Sequence, residues 1–421
     1  MKIVCGYKTE LELNNQQRTH CLKHAGTARF AYNWGLARRK AAYATNGETR
    51  SAIDLHKELN RLKKTEYPWM YEVSKCAPQE ALRDLDKAYD NFFRRVKLKK
   101  EGKLRGKVGY PTFKSRRHGV GSFRLTGVIK VFDGHIQLPR LGRLKLKERG
   151  YLPTEGVRIL SATVSEKAGR WFVSVQVEEE IPDPEPAQGT PVGVDLGITT
   201  LATCSDGTSY ENPKALQQAQ KKLRRLQRKL SRQDKGSRNR KKTRQKIAQL
   251  HYRIANIRRD ALHKATSGIV AKTKPAALRP HNVALEDLNV SGMLKNHRLA
   301  PSIADVGMHE FRRQLSYKAD WVGSEIVFAD QWYPSSKMCS QCGHIKDALS
   351  LSERTYRCDV CTMVIDRDLN AARNLAQLAT TASSAGRAAQ DVANACGEDV
   401  RPEYVGQPSL KQEPNRILGT A

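Results

Sequence analysis

Three carboxylates, Asp195, Glu286 and Asp368, border apolar runs that lie far apart in the chain. A charged group beside a buried strand is costly unless something pairs with it. Three such acids could share two divalent cations, and two cations about 3.5–4 Å apart are a common apparatus for hydrolysing nucleic-acid phosphodiesters. Because Mg²⁺ prefers hard oxygen ligands, we expect these three residues to be catalytic and to bind two Mg²⁺ ions.

Each acid taken alone has an ordinary explanation. Asp366 or Asp368 could cap the helix that follows, and an acid near a strand end usually pairs with a lysine. The joint pattern indicates more. A strand, a glycine turn and a strand surround Asp195, a second strand ends on Glu286, and a helix opens at Asp368. This layout matches the ribonuclease-H-like fold, in which acids from adjacent strands and a late helix converge. Asp287 and Asp366 are expected to cap or support the site.

Four further residues form two Cys-x-x-Cys pairs separated by fifteen residues: Cys339, Cys342, Cys358 and Cys361. This spacing is typical of a tetrahedral Cys₄ zinc site, and a set of reduced thiols is the alternative. Four thiolates would fill all four coordination positions of a zinc ion and leave none for a catalytic water. We therefore expect one structural Zn²⁺. Gly343 follows the first pair, where a positive φ is usual. Thr362 holds the equivalent place in the second pair, which indicates a looser turn there.

The chain has 421 residues, with 74 Lys or Arg against 43 Asp or Glu, a formal net charge of +31. That length predicts two or three domains. A polyanion relieves such self-repulsion, and the candidates are nucleic acid and an acidic membrane surface. We find no transmembrane stretch and no signal peptide. We therefore expect a soluble, cytoplasmic protein that binds nucleic acid and has no membrane partner.

The remaining cysteines are scattered, and we interpret them as ordinary reduced thiols: Cys5, Cys21, Cys76, Cys204 and Cys396. An odd total of nine cysteines, four of them clustered, is not typical of a secreted disulfide framework.

Hydrophobic periodicity predicts an α+β multidomain chain. Residues 1–15 and 100–185 alternate with a period of two, and we interpret them as a small β-barrel. Residues 16–99 have helical spacing and form a helical insertion into that barrel. A stiff proline-rich linker at 181–189 ends this half of the protein.

The second half begins with the first acidic motif. We expect one domain at 191–336 and 363–378, with the zinc segment at 337–362 inserted into it. Residues 379–421 lack clear periodicity and are predicted to be a disordered tail.

A basic helical hairpin is predicted at 215–264, within the second domain. Between Lys221 and Arg259 there are 17 Lys or Arg and one acid, Asp234. A charge run is usually a solvated helix face, but this imbalance favours contact with a phosphate backbone. The candidate nucleic-acid-binding residues are Arg224, Arg225, Arg228, Lys241 and Lys242.

The ordered motifs resemble the TnpB family of transposon-encoded, RNA-guided nucleases, which are similar to the type V CRISPR effectors. The motifs are Val-Asp-Leu-Gly at 194–197, Glu-Asp-Leu-Asn at 286–289, the two cysteine pairs, and Asp-Arg-Asp-Leu-Asn-Ala-Ala-Arg-Asn at 366–374. The match spans 191–376 and continues more weakly into 74–83 and 110–115. Thr362 departs from a frequent glycine of the family, which affects only the local turn.

The resemblance implies a RuvC-like nuclease domain with a zinc ribbon inserted before the last acid. By motif, Asp195, Glu286 and Asp368 fall on the catalytic triad, and the four clustered cysteines fall on the zinc ligands. The implied partners are a guide RNA from the transposon end and a target double-stranded DNA, cut on both strands beside a short transposon-adjacent motif.

The resemblance also implies roles for the N-terminal half. The barrel would be a wedge domain, and the insertion would be a recognition domain that grips RNA and reads the adjacent motif. Lys75, Gln79 and Lys114 are the nucleic-acid contacts that we expect there. Base pairing between the guide RNA and the DNA would recognise the target sequence, while the protein recognises the shape of the nucleic acid and the short motif.

Two other classes of function stay open. A DNA-binding regulator would use the zinc segment and the basic helices without cutting. A transposase or resolvase with a related fold would act on DNA without RNA. The sequence does not fix the oligomeric state, and we favour a monomer.

Overall fold

The computed structural model describes residues 2–104, 106–350 and 352–384. The chain divides into two compact units, with the boundary between Pro182 and Asp183. Both units contain helices and strands, which confirms the mixed α+β class.

The first unit is built on seven antiparallel strands in the spatial order β2-β6-β7-β1-β5-β4-β3. Their bounds are β1 Lys2–Glu12, β2 Ser122–Leu125, β3 Lys130–Phe132, β4 His135–Leu138, β5 Gly142–Leu146, β6 Val157–Lys167 and β7 Arg170–Glu180.

The predicted closed barrel is not found in the described part of this unit. The order starts at β2 and ends at β3, and no pairing joins these two strands. Period-two alternation predicts which residues face the core. Closure depends on strand number, tilt and stagger, which alternation does not specify.

Strands β6 and β7 form a hairpin. Lys167 pairs with Arg170, and the two residues between them have positive φ, 57° at Ala168 and 83° at Gly169. Two consecutive positive φ values give the two-residue turn that matches the natural twist of antiparallel strands.

Three helices lie between β1 and β2: α1 Asn15–Asn46, α2 Ala52–Leu62 and α3 Cys76–Lys100. A capping box starts each of the first two, formed by Asn14 with Gln17 and by Ser51 with Asp54. Side chains that satisfy the free N–H groups of the first turn fix where a helix begins. The three helices lie between Asn15 and Lys100, and the helical insertion at 16–99 stays a prediction as a domain.

The second unit is built on five strands in the order β10-β9-β8-β11-β12, of which β8, β11 and β12 are parallel. Their bounds are β8 Val192–Leu196, β9 Thr200–Cys204, β10 Ser209–Glu211, β11 Asn282–Glu286 and β12 Glu325–Ala329. The main core of this unit includes Val194, Leu201, Leu285, Phe311 and Leu315, all nearly inaccessible to solvent.

The helices of this unit are α4 Ala215–Ser231, α5 Arg238–Ile269, α6 Val290–Met293, α7 Ala300–Val306, α8 Met308–Val322 and α9 Arg367–Ser384. A two-stranded ribbon precedes the last helix, with β13 Thr355–Arg357 and β14 Val364–Asp366. Helices α4 and α5 form the predicted basic hairpin. The Arg240 guanidinium closes it by donating to the carbonyls of Leu230 and Gln233.

Two boundaries differ from the sequence interpretation. Part of the proline-rich linker belongs to the second unit, because the Gly189 N–H donates to the Arg279 carbonyl over 2.7 Å. Residues 379–384, predicted to be disordered, continue α9, and Ala379 is buried. Residues 379–384 have only small side chains. Helical spacing of such residues is a weaker sequence signal than helical spacing of large apolar residues, so the end of this helix was not predicted. Residues 385–421 lie outside the described residues.

No helix in the described ranges has a stretch long and apolar enough to cross a bilayer.

Candidate catalytic and metal centres

Asp195 and Glu286 are neighbours because of the register between β8 and β11. The two strands are parallel, with Ala284 opposite Gly193 and Leu285 opposite Val194. Continuing that register by one residue brings Glu286 beside Asp195. Neighbouring strands lie about 4.8 Å apart, and side chains at matched positions share a face of the sheet. Two carboxylates separated by 90 residues of chain therefore lie on the same face.

Helix α9 covers this face, and Gly193 allows it to approach. A Cβ at Gly193 would overlap the backbone of α9 at the Ala372 carbonyl and the Ala376 N–H. Alternation along β8 puts Gly193 and Asp195 on one side of the strand. Asp368 lies in the first turn of α9, so the third predicted acid is carried to the same face.

The electrostatics confirm that these acids are close together. Burial raises the pKa of Asp195 to about 8, and the charges of Glu286 and Asp368 add to the rise. In the described part of the chain Asp195 accepts no hydrogen bond and forms no ion pair. A largely buried carboxylate that has acidic neighbours and no partner among the described residues is a candidate ligand for a cation.

The other two acids have partners. The Ser335 hydroxyl donates to Glu286 Oε1. Asp368 lies 3.9 Å from a guanidinium nitrogen of Arg354 and 3.5 Å from one of Arg367. Sequence reasoning missed Ser335 and Arg354, since neither lies in an acidic motif. Each lies within a few residues of the cysteine pairs, which was the one available signal.

The three carboxylates are not packed as a single-ion site. Within the described ranges, only the cysteine cluster brings three or more ligand atoms all within 4.8 Å of one another. The carboxylate oxygens of Asp195, Glu286 and Asp368 are the hard donors that Mg²⁺ prefers.

Asp366 has the capping role that the sequence indicated, and Asp287 forms an ion pair. Asp366 Oδ1 accepts from the N–H groups of Asp368 and Leu369, both over 3.0 Å, and so caps α9. The Arg312 guanidinium donates to Asp287 Oδ1 over 2.5 Å.

The four predicted zinc ligands form one cluster. Their sulfur atoms all lie within 4.8 Å of one another. The Cys339–Cys361 and Cys342–Cys358 sulfur pairs are both 3.5 Å apart. Sulfur atoms bound tetrahedrally at about 2.3 Å from zinc stand about 3.8 Å apart. The cluster is therefore compatible with one zinc ion.

Both turns of this cluster adopt a left-handed conformation. Gly343 has a φ of 77° and Thr362 a φ of 57°. Glycine adopts this region without cost, whereas a β-branched residue there is strained. The prediction of a positive φ at Gly343 is confirmed, and Thr362 adopts the same conformation rather than a looser one.

The other described cysteines, Cys5, Cys21, Cys76 and Cys204, are buried and form no disulfide among the described residues, as expected of reduced thiols. Cys396 lies outside the described residues.

The predicted nucleic-acid contacts of the hairpin are all exposed: Arg224, Arg225, Arg228, Lys241 and Lys242. The described residues give none of these five an acidic partner. Asp305 anchors the hairpin, because it accepts from the Leu216 N–H over 2.8 Å and from Arg258 over 2.7 Å. A fixed helical pair thus presents unpaired positive charge.

The three candidates in the first unit have different surroundings. Lys75 is exposed immediately before α3, and Gln79 is half-buried in its first turns. The Lys114 ammonium stands 3.9 Å from the centre of the Tyr32 ring. Lys114 also lines a cavity of about 420 Å³ with Arg29, Arg124 and Glu80.

Three family models match this chain. Residues 172–297 match one described as "Probable transposase", and residues 309–375 match one described as "Cas12f1-like, TNB domain". Residues 1–48 match one described as a helix-turn-helix domain. In the described residues 2–48, however, the structure has one strand and one long helix.

Two relatives align along nearly the whole chain, and both carry the name "Putative RNA-guided DNA endonuclease". The one from Streptomyces pristinaespiralis is 37% identical, over 97% of this chain and 96% of its own length. InsQ of Escherichia coli K12 is 35% identical over 99% of both chains. The Cas12f1 endodeoxyribonuclease of Sulfoacidibacillus thermotolerans is 22% identical over 50% of this chain and 51% of its own.

Solved structures align more loosely. A mini-RNA-guided endonuclease, CRISPR-Cas_phi3, gives a TM-score of 0.49 at 10% identity, over 90% of this chain and 92% of that one. The family assignment rests on the sequence relatives. By their names, these relatives form a class of RNA-guided DNA endonucleases. The chain belongs to the TnpB family.

Proposed function

We propose that this protein is an RNA-guided endonuclease of a transposon that cuts double-stranded DNA beside a short transposon-adjacent motif. One observation carries the nuclease part. Asp195 and Glu286 lie side by side under α9, whose first turn contains Asp368. The names of the two full-length relatives support the RNA-guided part.

The strand order of the second unit supports a ribonuclease-H-like, RuvC-type nuclease domain. Three strands of the sheet are parallel, and the first of them is paired to an antiparallel neighbour. The acids stand on the first and fourth strands in chain order of this sheet and at the start of the last helix. The zinc segment precedes the last acid, as the resemblance implies.

Asp195, Glu286 and Asp368 would hold two Mg²⁺ ions. Such a pair supplies an activated water and stabilises charge on the departing oxygen when bound. Ser335 would orient Glu286 through its hydrogen bond, and Asp366 would hold the first turn of α9. Arg354 lies at the edge of the acid cluster, where a guanidinium can bind a phosphate oxygen. Zinc on the four cysteines would fix the ribbon that carries Arg354.

The exposed arginines and lysines of the hairpin would neutralise phosphates of the guide RNA or of its duplex with DNA. In the first unit, the sheet would act as the wedge domain and α1 to α3 as the recognition domain. Lys75, Gln79 and Lys114 would contact the DNA beside the target or the guide RNA. We propose that the protein acts as a monomer.

The test is to purify the full chain without nuclease treatment and to sequence the RNA that copurifies. A duplex matching the variable end of that RNA, flanked by a randomised segment, is then incubated with the complex and Mg²⁺. We expect cutting of the matched duplex in a subset of flanks, and no cutting after the RNA is removed. Cutting or strand transfer by RNA-free protein would instead support a transposase or resolvase. Binding without any cutting would support a regulator.

A further inference from the structure

Trp332 is the most exposed large apolar side chain in the described part of the protein, with 84% of its surface accessible. Single exposed apolar residues are common and usually need no explanation. Trp332 differs from such residues because its backbone is held next to the candidate catalytic centre.

The segment around Trp332 is fixed on both sides. The Trp332 N–H donates to Asp330 Oδ1 over 2.8 Å, and the Tyr333 N–H donates to the Asp330 carbonyl over 3.0 Å. The Tyr333 hydroxyl donates to the Asn374 carbonyl of α9 over 3.1 Å. An indole on a fixed backbone loses little conformational entropy when a flat ligand stacks on it.

This segment borders the candidate catalytic centre. Ala329 pairs with Glu286 in the register of β11 and β12. Trp332 follows Ala329 by three residues and precedes Ser335, the residue bonded to Glu286, by three. Three residues span at most about 11 Å, so the Trp332 backbone lies within about 11 Å of both Ala329 and Ser335.

A cavity of about 360 Å³ adjoins this segment. It is lined by Glu286 together with Asn289, His309, Arg312 and Gln331, the residue before Trp332. The Arg312 guanidinium is bonded to Asp287 and lies 3.8 Å from the centre of the Phe328 ring. A guanidinium has five N–H donors, so Arg312 is oriented and keeps donors for a ligand.

We propose that Trp332 and this cavity form a subsite for single-stranded DNA, in which a base stacks on the indole while Arg312 contacts the adjoining phosphate. The inference rests on the proposed function, because it takes the strand at Glu286 to be DNA. Exposed aromatic rings beside basic side chains are how proteins bind single strands regardless of sequence. The net charge of +31 favours such a ligand over an apolar peptide.

The experiment uses the full chain as purified with its RNA, carrying Asp195→Asn so that DNA is not cut. Oligodeoxythymidine of about 12 nucleotides is added while tryptophan emission is recorded. The chain contains five tryptophans. Stacking on one of them should quench up to about a fifth of the emission. We expect Trp332→Phe to lose this quenching, and Trp69→Phe, an exposed tryptophan in the other unit, to retain it.

Affinity gives a second readout. Trp332→Ala should raise the half-saturating oligonucleotide concentration at least about fivefold, while Trp332→Phe stays near the parent, since a base stacked on an aromatic ring contributes strongly to binding. Equal quenching in the parent and Trp332→Phe would overturn the proposal, as would equal affinity in the parent and Trp332→Ala. Cleavage by the protein with Asp195 intact separates the two ideas. If that protein cuts DNA but changes at Trp332 alter neither quenching nor affinity, only the proposed subsite is refuted. If the oligonucleotide quenches Trp332 but the protein does not cut, only the proposed nuclease function is refuted.

Discussion

Glu286 stands beside Asp195 because β11 runs parallel to β8 with Leu285 opposite Val194. A shift of one residue between these strands would turn the two carboxylates to opposite faces. The register is held by apolar residues on the other face, among them Val194 and Leu285, which are fully buried. The packing of the core therefore determines the geometry of the acids.

Gly193 is predicted to control the position of Asp368. In Gly193→Ala the added methyl group overlaps the backbone of α9, which should lower the free energy of unfolding by about 1–3 kcal/mol. A catalytic group displaced by about 1 Å can cost 100-fold in rate. We therefore expect cleavage to fall at least about 100-fold, measured at saturating DNA. Gly26→Ala is the control, since a Cβ there meets open space. Equal cleavage rates in Gly193→Ala and the parent would contradict this role.

The two turns of the cysteine cluster should respond oppositely to exchange of their residues. Gly343→Thr introduces a left-handed β-branched residue, and we expect a loss of about 1–2 kcal/mol in zinc-bound stability. Thr362→Gly relieves backbone strain but also raises the conformational entropy of the unfolded chain. The free energy of unfolding should therefore rise by no more than about 1 kcal/mol. Both are measured as thermal midpoints with zinc present.

Cys339→Ser serves as the reference for loss of the site, because structural zinc contributes folding free energy. If Gly343→Thr were as stable as the parent, the left-handed turn would not matter for the cluster.

Lys318 is predicted to make stability depend on pH. It is fully buried, and its ammonium donates to the His263 carbonyl and to Thr266 and Ser267. Burial lowers its pKa to about 7. Between pH 7 and about 10.4 the unfolded chain binds more protons at this residue than the folded chain. Stability should therefore rise with pH across this window.

Lys318→Met should remove this pH dependence. The thermal midpoint of Lys318→Met minus that of the parent should therefore be most positive at pH 7 and smallest near pH 10. Lys264→Met is the control, because Lys264 is exposed and paired with Asp260 on the same helix. Parallel curves for the parent and Lys318→Met would show that the buried amine does not titrate in this range.

Much of the candidate site follows from sequence, because its residues carry local signals. The cysteine spacing predicted the cluster, and the acids interrupting apolar runs predicted Asp195 and Glu286. The contributions of Ser335, Arg354 and Gly193 could not be predicted, since each depends on contacts between segments distant in the chain. The same limit applies to the barrel, because closure is a property of the whole sheet.

The hairpin should bind RNA through charge. Replacing Arg224, Arg225 and Arg228 together with Ala removes three exposed charges without acidic partners in the described residues. We expect weaker RNA binding and a log–log salt slope smaller by about 2–3, because each phosphate contact contributes about 0.7–0.9. Filter binding at several salt concentrations measures both. The matched triple change to Lys keeps the charge and should keep the slope. An unchanged slope in the Ala variant would place the RNA elsewhere.

Cleavage by Asp195→Ala and Glu286→Ala in Mg²⁺ tests most directly whether these acids are catalytic. Glu325→Gln is the control, because Glu325 is exposed at the opposite end of β12 from Ala329, which pairs with Glu286. We expect both alanine variants to lose cutting by at least about 1,000-fold, since removing a metal-holding carboxylate removes the chemistry of the pair. Guide-dependent DNA binding should persist in both, and Glu325→Gln should still cut. If Asp195→Ala or Glu286→Ala cut DNA at the parent's rate, these carboxylates would not be the catalytic centre.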